Sequence, residues 1–344
     1  MRNTRKRIEA ALAVALFSML GILLAPPVAA ADTVAAPTTR CTMHRVPVAL
    51  PDGSHRRVFG ELCLPRRGKP APPVQVLLHG GTYDHRYWDW PYRSKRYSYV
   101  RKATEQGYAT FNLDRLGYGR SDRIDGDLID FELSGAVVHQ VVQALRSGRL
   151  GPRFDTVVLN GHSMGAITAK WAAALGGVDA LVVSGIPADP PGGATRTDEP
   201  TASPADAFHP ASQDPKFAGR WWADSYLTTR PGVRTGLFLE GGTYEWFVAV
   251  QEELLRETVP VGELRAVSSD DKPAPTLAVP TFHAIGRYDA LHCAGTGDCR
   301  TDPGGAHADL IVEDAGHSIN LTAGAKRFHA ATFRWLARQG LAPR

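Results

Sequence analysis

The sequence is short of several things that would have given it an easy reading. It has only four cysteines and four methionines among 344 residues. Long apolar runs are nearly absent. The one that stands out, Ala11 to Ala25, is about 15 residues long, short of the roughly 20 that a membrane-spanning helix needs. Charge of one sign does not accumulate either. The formal net charge is +4, but the first 31 residues hold Arg2, Arg5, Lys6 and Arg7 against Glu9, which leaves about +1 for the rest. No basic run remains to act as a nucleic-acid footprint. No internal repeat is visible. What is present is an ordinary globular composition, 43% apolar and 22% charged, enough for a sizeable core in one large domain or two modest ones.

The N-terminus accounts for the local excess of charge. A basic stretch, "MRNTRKRIEA", precedes the apolar run, and Ala29 and Ala31 supply the small residues of an A-x-A pattern. This layout is that of a secretory signal peptide over residues 1–31, with an uncleaved anchor as the rival reading. Cys41, Cys63, Cys293 and Cys299 all follow the expected cleavage point, and an even number in an exported chain favours two disulfides. Three pairings are open. Cys41 and Cys63 flank a hairpin-like segment with Asp52-Gly53 as its turn, and Cys293 and Cys299 close a short loop, so the two local pairs are expected. Cys-x5-Cys is not a tight metal spacing and no second pair completes a zinc site; no metal or cofactor is expected.

Short apolar strands alternate with helical patterns along most of the chain. Strands are expected at 44–49 and 56–64, in "PVQVLLHGG", "YATFNLD", "FDTVVLNG" and "VDALVVSG", with helices over Lys95–Gln106, in "LIDFELSGAVVHQVVQALRSG" and after Ser163. Such alternation, with strands apolar on both faces, indicates a parallel sheet covered on both sides. It stops after Pro187, in a stretch rich in Pro, Gly, Ala and Thr, and resumes at "PTFHAIGRYDAL", "ADLIVEDAGHS" and a last helix over Ala323–Gln339. The expected organisation is therefore a core of 32–186 and 275–344 interrupted by an insertion, 187–274. An insertion at a strand's carboxyl end sits where such sheets bind ligands, and it reads as a lid.

"NGHSMGAI" carries the chemistry. Ser163 stands between an apolar strand and a helix, with Gly161 and Gly165 two places to either side. A turn this tight forces the central residue into a strained backbone, and its neighbours must be small for strand and helix to approach. This is the G-x-S-x-G nucleophile elbow, which also aims the N–H of Met164 at a developing oxyanion. A serine hydroxyl needs a base. His317, after the strand "ADLIVE", and Asp289, after "TFHAI", follow in the chain order Ser, Asp, His expected for an elbow of this kind. Asp289 would fix the tautomer of His317 and stabilise its protonated form. A second oxyanion donor is expected from "LLHGGTYDHRYWD": the N–H of Gly81, with Thr82 as second choice.

Together "HGGTYDHRYWD", "DRLGYGRSD", "GHSMG", "GRYDAL" and "AGHSIN" resemble the α/β-hydrolase superfamily in order and spacing, over roughly residues 44 to 186 and 275 to 340. The resemblance is to serine esterases and lipases with a lid after the sixth strand. It implies a mostly parallel eight-stranded sheet with helices on both faces and hydrolysis through an acyl-enzyme. Only two glycines follow His79, where the lipase pattern has three; Thr82 fills the third place.

Other residues compete for these roles. His162 is expected to pack under the elbow, His79 to be structural, His283 to be core and His292 to lie at the rim. Asp189 and Asp298 are alternatives to Asp289, and Asp114 is expected to anchor its own loop. Aromatics crowd the insertion (Trp221, Trp222, Tyr226, Phe238, Tyr244, Trp246 and Phe247), and with Tyr83, Tyr87 and Trp88 they suggest an apolar pocket. The favoured function is a secreted serine hydrolase acting on a small-molecule or lipid ester, without nucleic acid or stable membrane insertion. An exopeptidase or amidase using lid carboxylates among Glu240, Glu245, Glu252 and Glu253, a thioesterase or an acyltransferase would share the triad. A non-catalytic binding protein would have no need of it. Oligomeric state is left open.

Overall fold

The fold follows from which strand faces are apolar. A computed structural model describes residues 39–66, 71–188, 204–267, 275–293, 297–301 and 307–343; the expected signal peptide and Asp189 lie outside them. Strands β3 (Val74–Leu78), β4 (Ala109–Leu113), β5 (Val157–His162) and β6 (Ala180–Ser184) are buried at every residue. Successive side chains of a strand point to opposite faces, and two cores result. Val74, Val76, Leu78, Leu159 and Val183 pack with helix α3 (Phe131–Arg146) and helix α4 (Met164–Ala174). Leu77, Val158 and Val182 pack on the other side with α2 (Tyr99–Glu105) and α7 (Ala325–Arg338).

The strand order of the main sheet is β1-β2-β4-β3-β5-β6-β10-β11. β1 (Thr39–Ala49) and β2 (His55–Pro65) are antiparallel to each other, and β2 to β4, while all remaining pairs are parallel. β10 (Thr281–Gly286) and β11 (Leu310–Val312) complete the edge beyond β6. This is the expected eight-stranded, mostly parallel sheet. Its first two strands are longer than the sequence pattern suggested, because β1 keeps pairing where its outer face is exposed; Cys41 lies directly opposite Cys63 and is bridged to it. The expected helix over 95–106 is two: α1 (Ser94–Tyr97) and α2, broken at Ser98. The Ser98 hydroxyl accepts the Arg101 N–H and donates to Asp89, which offers the backbone an alternative to continuing the helix.

Between β6 and β10 the described residues form a second, three-stranded antiparallel sheet of β7 (Phe208–Pro210), β8 (Tyr226–Thr229) and β9 (Thr258–Pro260), with α5 (Trp246–Leu254) and α6 (Val261–Val267). Its aromatics divide. Tyr226 and Phe238 are buried, whereas Trp221 and Trp246 are each 74% exposed. No helix among the described residues is long and apolar enough to cross a membrane.

Three histidines are buried: His79 and His162 near the sheet's carboxyl edge and His329 on the inner face of α7. Burial pushes the imidazole of His79 down to about 3, helped by the charge of Arg115. Burial, with Lys102, does the same to His329, also to about 3. His162 is pushed well below the ordinary value by burial and by His317. Each stays neutral in the fold but protonates freely when unfolded. Below about pH 6.5 the unfolded chain thus binds more protons, and stability is lost as pH falls from there toward 3. At pH 4.5 His79 and His329 each cost about 2–3 kcal/mol, together a large share of the stability of an ordinary domain, and His162 acts in the same direction. The melting temperature should be flat from pH 7 to 9 and collapse between pH 6 and 4.5. Thermal melts followed by circular dichroism across that range check this, and a Tm that holds at pH 4.5 would contradict it.

Candidate active site

Gly161 and Gly165 are explained by what surrounds them. β5 ends at His162 and α4 begins at Met164, so Ser163 makes the whole turn, with φ 53° and ψ −127°. Its N–H donates to the carbonyl of Ser184 at the end of β6 (2.8 Å). A Cβ on Gly161 would lie 2.5 Å from the Ala166 Cα, and one on Gly165 would strike the carbonyl oxygens of Leu78 and His79. Strand, turn and helix touch backbone to backbone, so no side chain fits at either place. The half-buried serine is presented at the N-terminus of α4, where the first N–H groups have no partner within the helix.

The loop after β3 lies against this turn. A Cβ on Gly80 would be 3.1 Å from the Ser163 Cβ, and one on Gly81 would collide with the Met164 sulfur. The two expected oxyanion donors, Gly81 and Met164, are therefore on adjoining residues. His79 holds the loop: its Nε2 accepts the Arg115 N–H (3.2 Å), its carbonyl accepts Arg115 Nε (3.0 Å), and its Nδ1 faces the Gly80 carbonyl (2.8 Å). A neutral ring protonated on Nδ1 satisfies all three contacts.

Asp289 and His317 meet as expected. Asp289 follows β10 and His317 follows β11, and both are buried, at 0% and 1% exposure. His317 Nδ1 lies 2.8 Å from Asp289 Oδ2, and Asp289 Oδ1 accepts the Leu291 N–H (3.0 Å). Burial works to raise the Asp289 carboxyl, but the charges of His317 and His292 and these hydrogen bonds outweigh it and hold its pKa below the usual value. His317 Nε2 is buried without a protein hydrogen-bond partner. The bond between Ser163 and His317 is thus not made here; such bonds commonly tighten only with substrate in place. The β6 terminus links the two, since Ser184 takes the Ser163 N–H while a Cβ on Gly185 would sit 3.0 Å from His317 Cε1.

The competing residues fall elsewhere. His162 stacks on Tyr87 (centroids 4.5 Å) and tilts against His317 (4.9 Å). His292 lies beside His317, 5.8 Å between centroids. Asp289, His292 and His317 bring one ligand atom each within 4.8 Å of one another, and within this group His317 Nδ1 and Asp289 Oδ2 are bonded to each other. Asp298 pairs with Arg287 (2.6 Å). Asp114 accepts the N–H groups of His85 and Arg120, anchoring its loop. His283 is half-buried in β10 rather than core. Tyr83, Tyr87 and Trp88 are buried.

Sequence reasoning missed two buried ion pairs. Arg115, after β4, reaches Glu263 of α6, whose carboxylate also accepts Tyr118 and Ser134. Arg234 pairs with Glu252 of α5 (2.7 Å), and that pair touches Thr82, Tyr83 and, through Tyr83, Ser318. Nothing in the sequence signals them, because the partners lie 18 to 235 positions apart.

With the elbow, the paired Asp289 and His317 and the sheet order in view, the family is settled: the chain belongs to the alpha/beta hydrolase family, whose model matches residues 75–331. Among solved structures it is similar to a thermophilic esterase from Thermogutta terrifontis, at 19% identity over 86% of this chain and 99% of that one, with a TM-score of 0.55. A methylesterase from Arabidopsis matches at 14% identity over 77% and 99% of the two chains, TM-score 0.52. Epoxide hydrolase A from Mycobacterium thermoresistibile matches at 18% identity over 85% and 98%, TM-score 0.50. At these identities the likeness is one of fold. No curated protein matches the sequence.

The loop bearing Asp289 is tied down. Cys293 and Cys299 are bridged, the Cys293 N–H donates to the Asp289 carbonyl (2.9 Å), and the Cys299 N–H donates to the Arg287 carbonyl (2.8 Å). So short a loop contributes only about 2 kcal/mol by chain entropy, whereas a carboxylate displaced by about 1 Å can cost about a hundredfold in rate. Replacing both cysteines by serine should lower ester turnover at least about tenfold while Tm falls by only about 4–8 °C or less. Paired activity and melting measurements check this, with a non-reduced peptide map to confirm the cross-link in the parent chain.

Proposed function

We propose that the protein is a secreted serine hydrolase that cleaves carboxylic esters through an acyl-enzyme on Ser163. Ser163 Oγ attacks the ester carbonyl and His317 Nε2 takes its proton. Asp289, on the far side of the ring, holds the tautomer and stabilises the imidazolium. The N–H groups of Met164 and Gly81 bind the oxyanion of the tetrahedral intermediate. The imidazolium then protonates the departing alcohol, and water repeats the sequence on the acyl group. No cofactor or metal enters this scheme. The observation that carries it is the combination of a strained serine at a helix N-terminus with a buried Asp289–His317 pair whose second ring nitrogen is left free.

In this reading residues 1–31 direct export and are removed, and the two disulfides suit an oxidising destination. The segment 187–274 serves as the lid of a core made of 32–186 and 275–344. Phe238 from that segment lies 5.9 Å from the His317 ring, which favours an apolar acyl or aromatic ester, lipid or lactone. The partner in this reading is that small-molecule or lipid ester.

Ser163→Ala should abolish covalent labelling by a fluorophosphonate and lower turnover of an activated ester by at least about a thousandfold. Labelling that survives the substitution would overturn the assignment. In the parent enzyme, esters of graded acyl length should be preferred to aminoacyl amides; the reverse order would favour an exopeptidase using the same triad.

A further inference from the structure

Thr82 sits in an unusual conformation for its type. Its φ is 60°, a region that β-branched residues enter rarely and at a cost, and its side chain is buried. It is held there from two sides by the segment between β6 and β10. Arg234 Nη1 donates to Thr82 Oγ1 (2.8 Å), and the Glu257 N–H donates to the Thr82 carbonyl (2.9 Å). Thr82 directly follows Gly81, so its backbone sets the direction of the peptide beside the oxyanion donor.

Arg234 is itself fixed. Its Nε and Nη2 both meet Glu252 Oε2, at 2.8 and 2.7 Å, and neither residue has any solvent exposure. Its guanidinium lies over the Tyr83 ring (4.6 Å) and the Phe238 ring (4.9 Å). The other Glu252 oxygen takes a hydrogen bond from the Tyr83 hydroxyl (2.8 Å), whose oxygen is 2.7 Å from Ser318 Oγ. A carboxylate facing a guanidinium can only accept, so Tyr83 donates to it and must accept from Ser318. The direction of the whole chain is then determined: Ser318 to Tyr83 to Glu252, and Arg234 to Glu252 and to Thr82. Ser318 is the residue after His317, and its N–H donates to the Phe238 carbonyl (2.8 Å).

We propose that the Arg234–Glu252 pair is a clamp that positions the oxyanion loop and the histidine loop relative to each other, so that the segment between β6 and β10 supplies positioning residues to the reaction as well as a cover. A buried ion pair is a weak source of stability, because desolvation consumes most of the attraction. Here its two ends are spent on neighbours of the two catalytic loops: Thr82 beside Gly81, and through Tyr83 the residue beside His317. Without the clamp Thr82 is free to leave its left-handed conformation, which turns the loop's N–H groups away from the oxyanion. The substrate's ground state needs no such donors, so the loss falls on the transition state. The inference rests on the serine hydrolase reading.

Thr82→Gly separates positioning from folding. Glycine adopts φ near 60° without strain, so the fold should survive, while the contact to Arg234 is lost. With the full chain and an activated ester, kcat and the fluorophosphonate labelling rate should both fall at least about tenfold, with KM changed less than about twofold. Thr82→Ser, which keeps the hydroxyl, should restore most of both, and Arg234→Lys should reproduce the defect. If Arg234→Lys does not fold, the two Thr82 variants decide. A folded Thr82→Gly enzyme with more than half the parent kcat would overturn the clamp, as would a loss that simply follows a lowered Tm or one that Thr82→Ser does not restore. Ser163→Ala, run alongside, tells the two failures apart. If it is inactive while Thr82→Gly is unimpaired, the clamp alone is wrong; if it stays active, the hydrolase reading fails and takes the clamp with it.

Discussion

The contact on which the rest depends is between backbones: α4 against the end of β3. The Gly165 Cα has the carbonyls of Leu78 and His79 directly before it, and Gly161 faces Ala166 and Gly165 in the same way. Because helix and strand meet without side chains between them, the chain has one residue in which to turn, and Ser163 takes the strain at φ 53°. The same closeness brings the loop after β3 alongside α4, so that Gly81 meets Met164. The strained turn at Ser163 and the meeting of Gly81 with Met164 are thus consequences of a single packing constraint. Apolar burial on both sheet faces supplies the force that holds it closed.

Charge is distributed in an unusual way around this apolar frame. Arg115 and Arg234 are both wholly buried, each paired with a glutamate from the segment between β6 and β10. Arg115 lies behind the loop after β3, bonded to the His79 carbonyl and facing the ring, and its charge helps to keep that imidazole neutral. Arg234 lies in front, on Thr82. The loop is therefore gripped by a cation on either side, and both counter-ions belong to α5 and α6. Of the two pairs only Arg115–Glu263 crosses from the sheet to the segment, and separating it would leave an uncompensated charge in the interior; Arg234 and Glu252 both belong to the segment and reach the rest of the chain through Thr82 and Tyr83.

How much could be read in advance depended on the range of the interactions. The sheet, its two faces and its crossing helices were legible because period-two and helical patterns are local, as was the Gly161-Ser163-Gly165 turn. Asp289 and His317 were placed by chain order after strands, which is topological information carried by sequence. The bridges Cys41–Cys63 and Cys293–Cys299 were legible because each closes a local loop. The helix break at Ser98 was not, because it needed Asp89, nine positions away, to engage the hydroxyl. The division of the insertion's aromatics was not legible either, since residue type does not say that Trp221 and Trp246 turn outward while Tyr226 and Phe238 turn in.

What the sequence determined by itself was therefore the family, the sheet and the identity of the residues at each strand end, since these follow from short-range periodicity and from glycines that admit only one turn. What tertiary structure decided was how those ends are held. Thr82 looked like a mere departure from a third glycine. Folding places it in a glycine-like conformation and supplies, from 152 positions away, the Arg234 hydrogen bond that holds it there. Such a bond leaves no mark in local sequence, because its strength comes from burial, and burial exists only once the chain has closed around it.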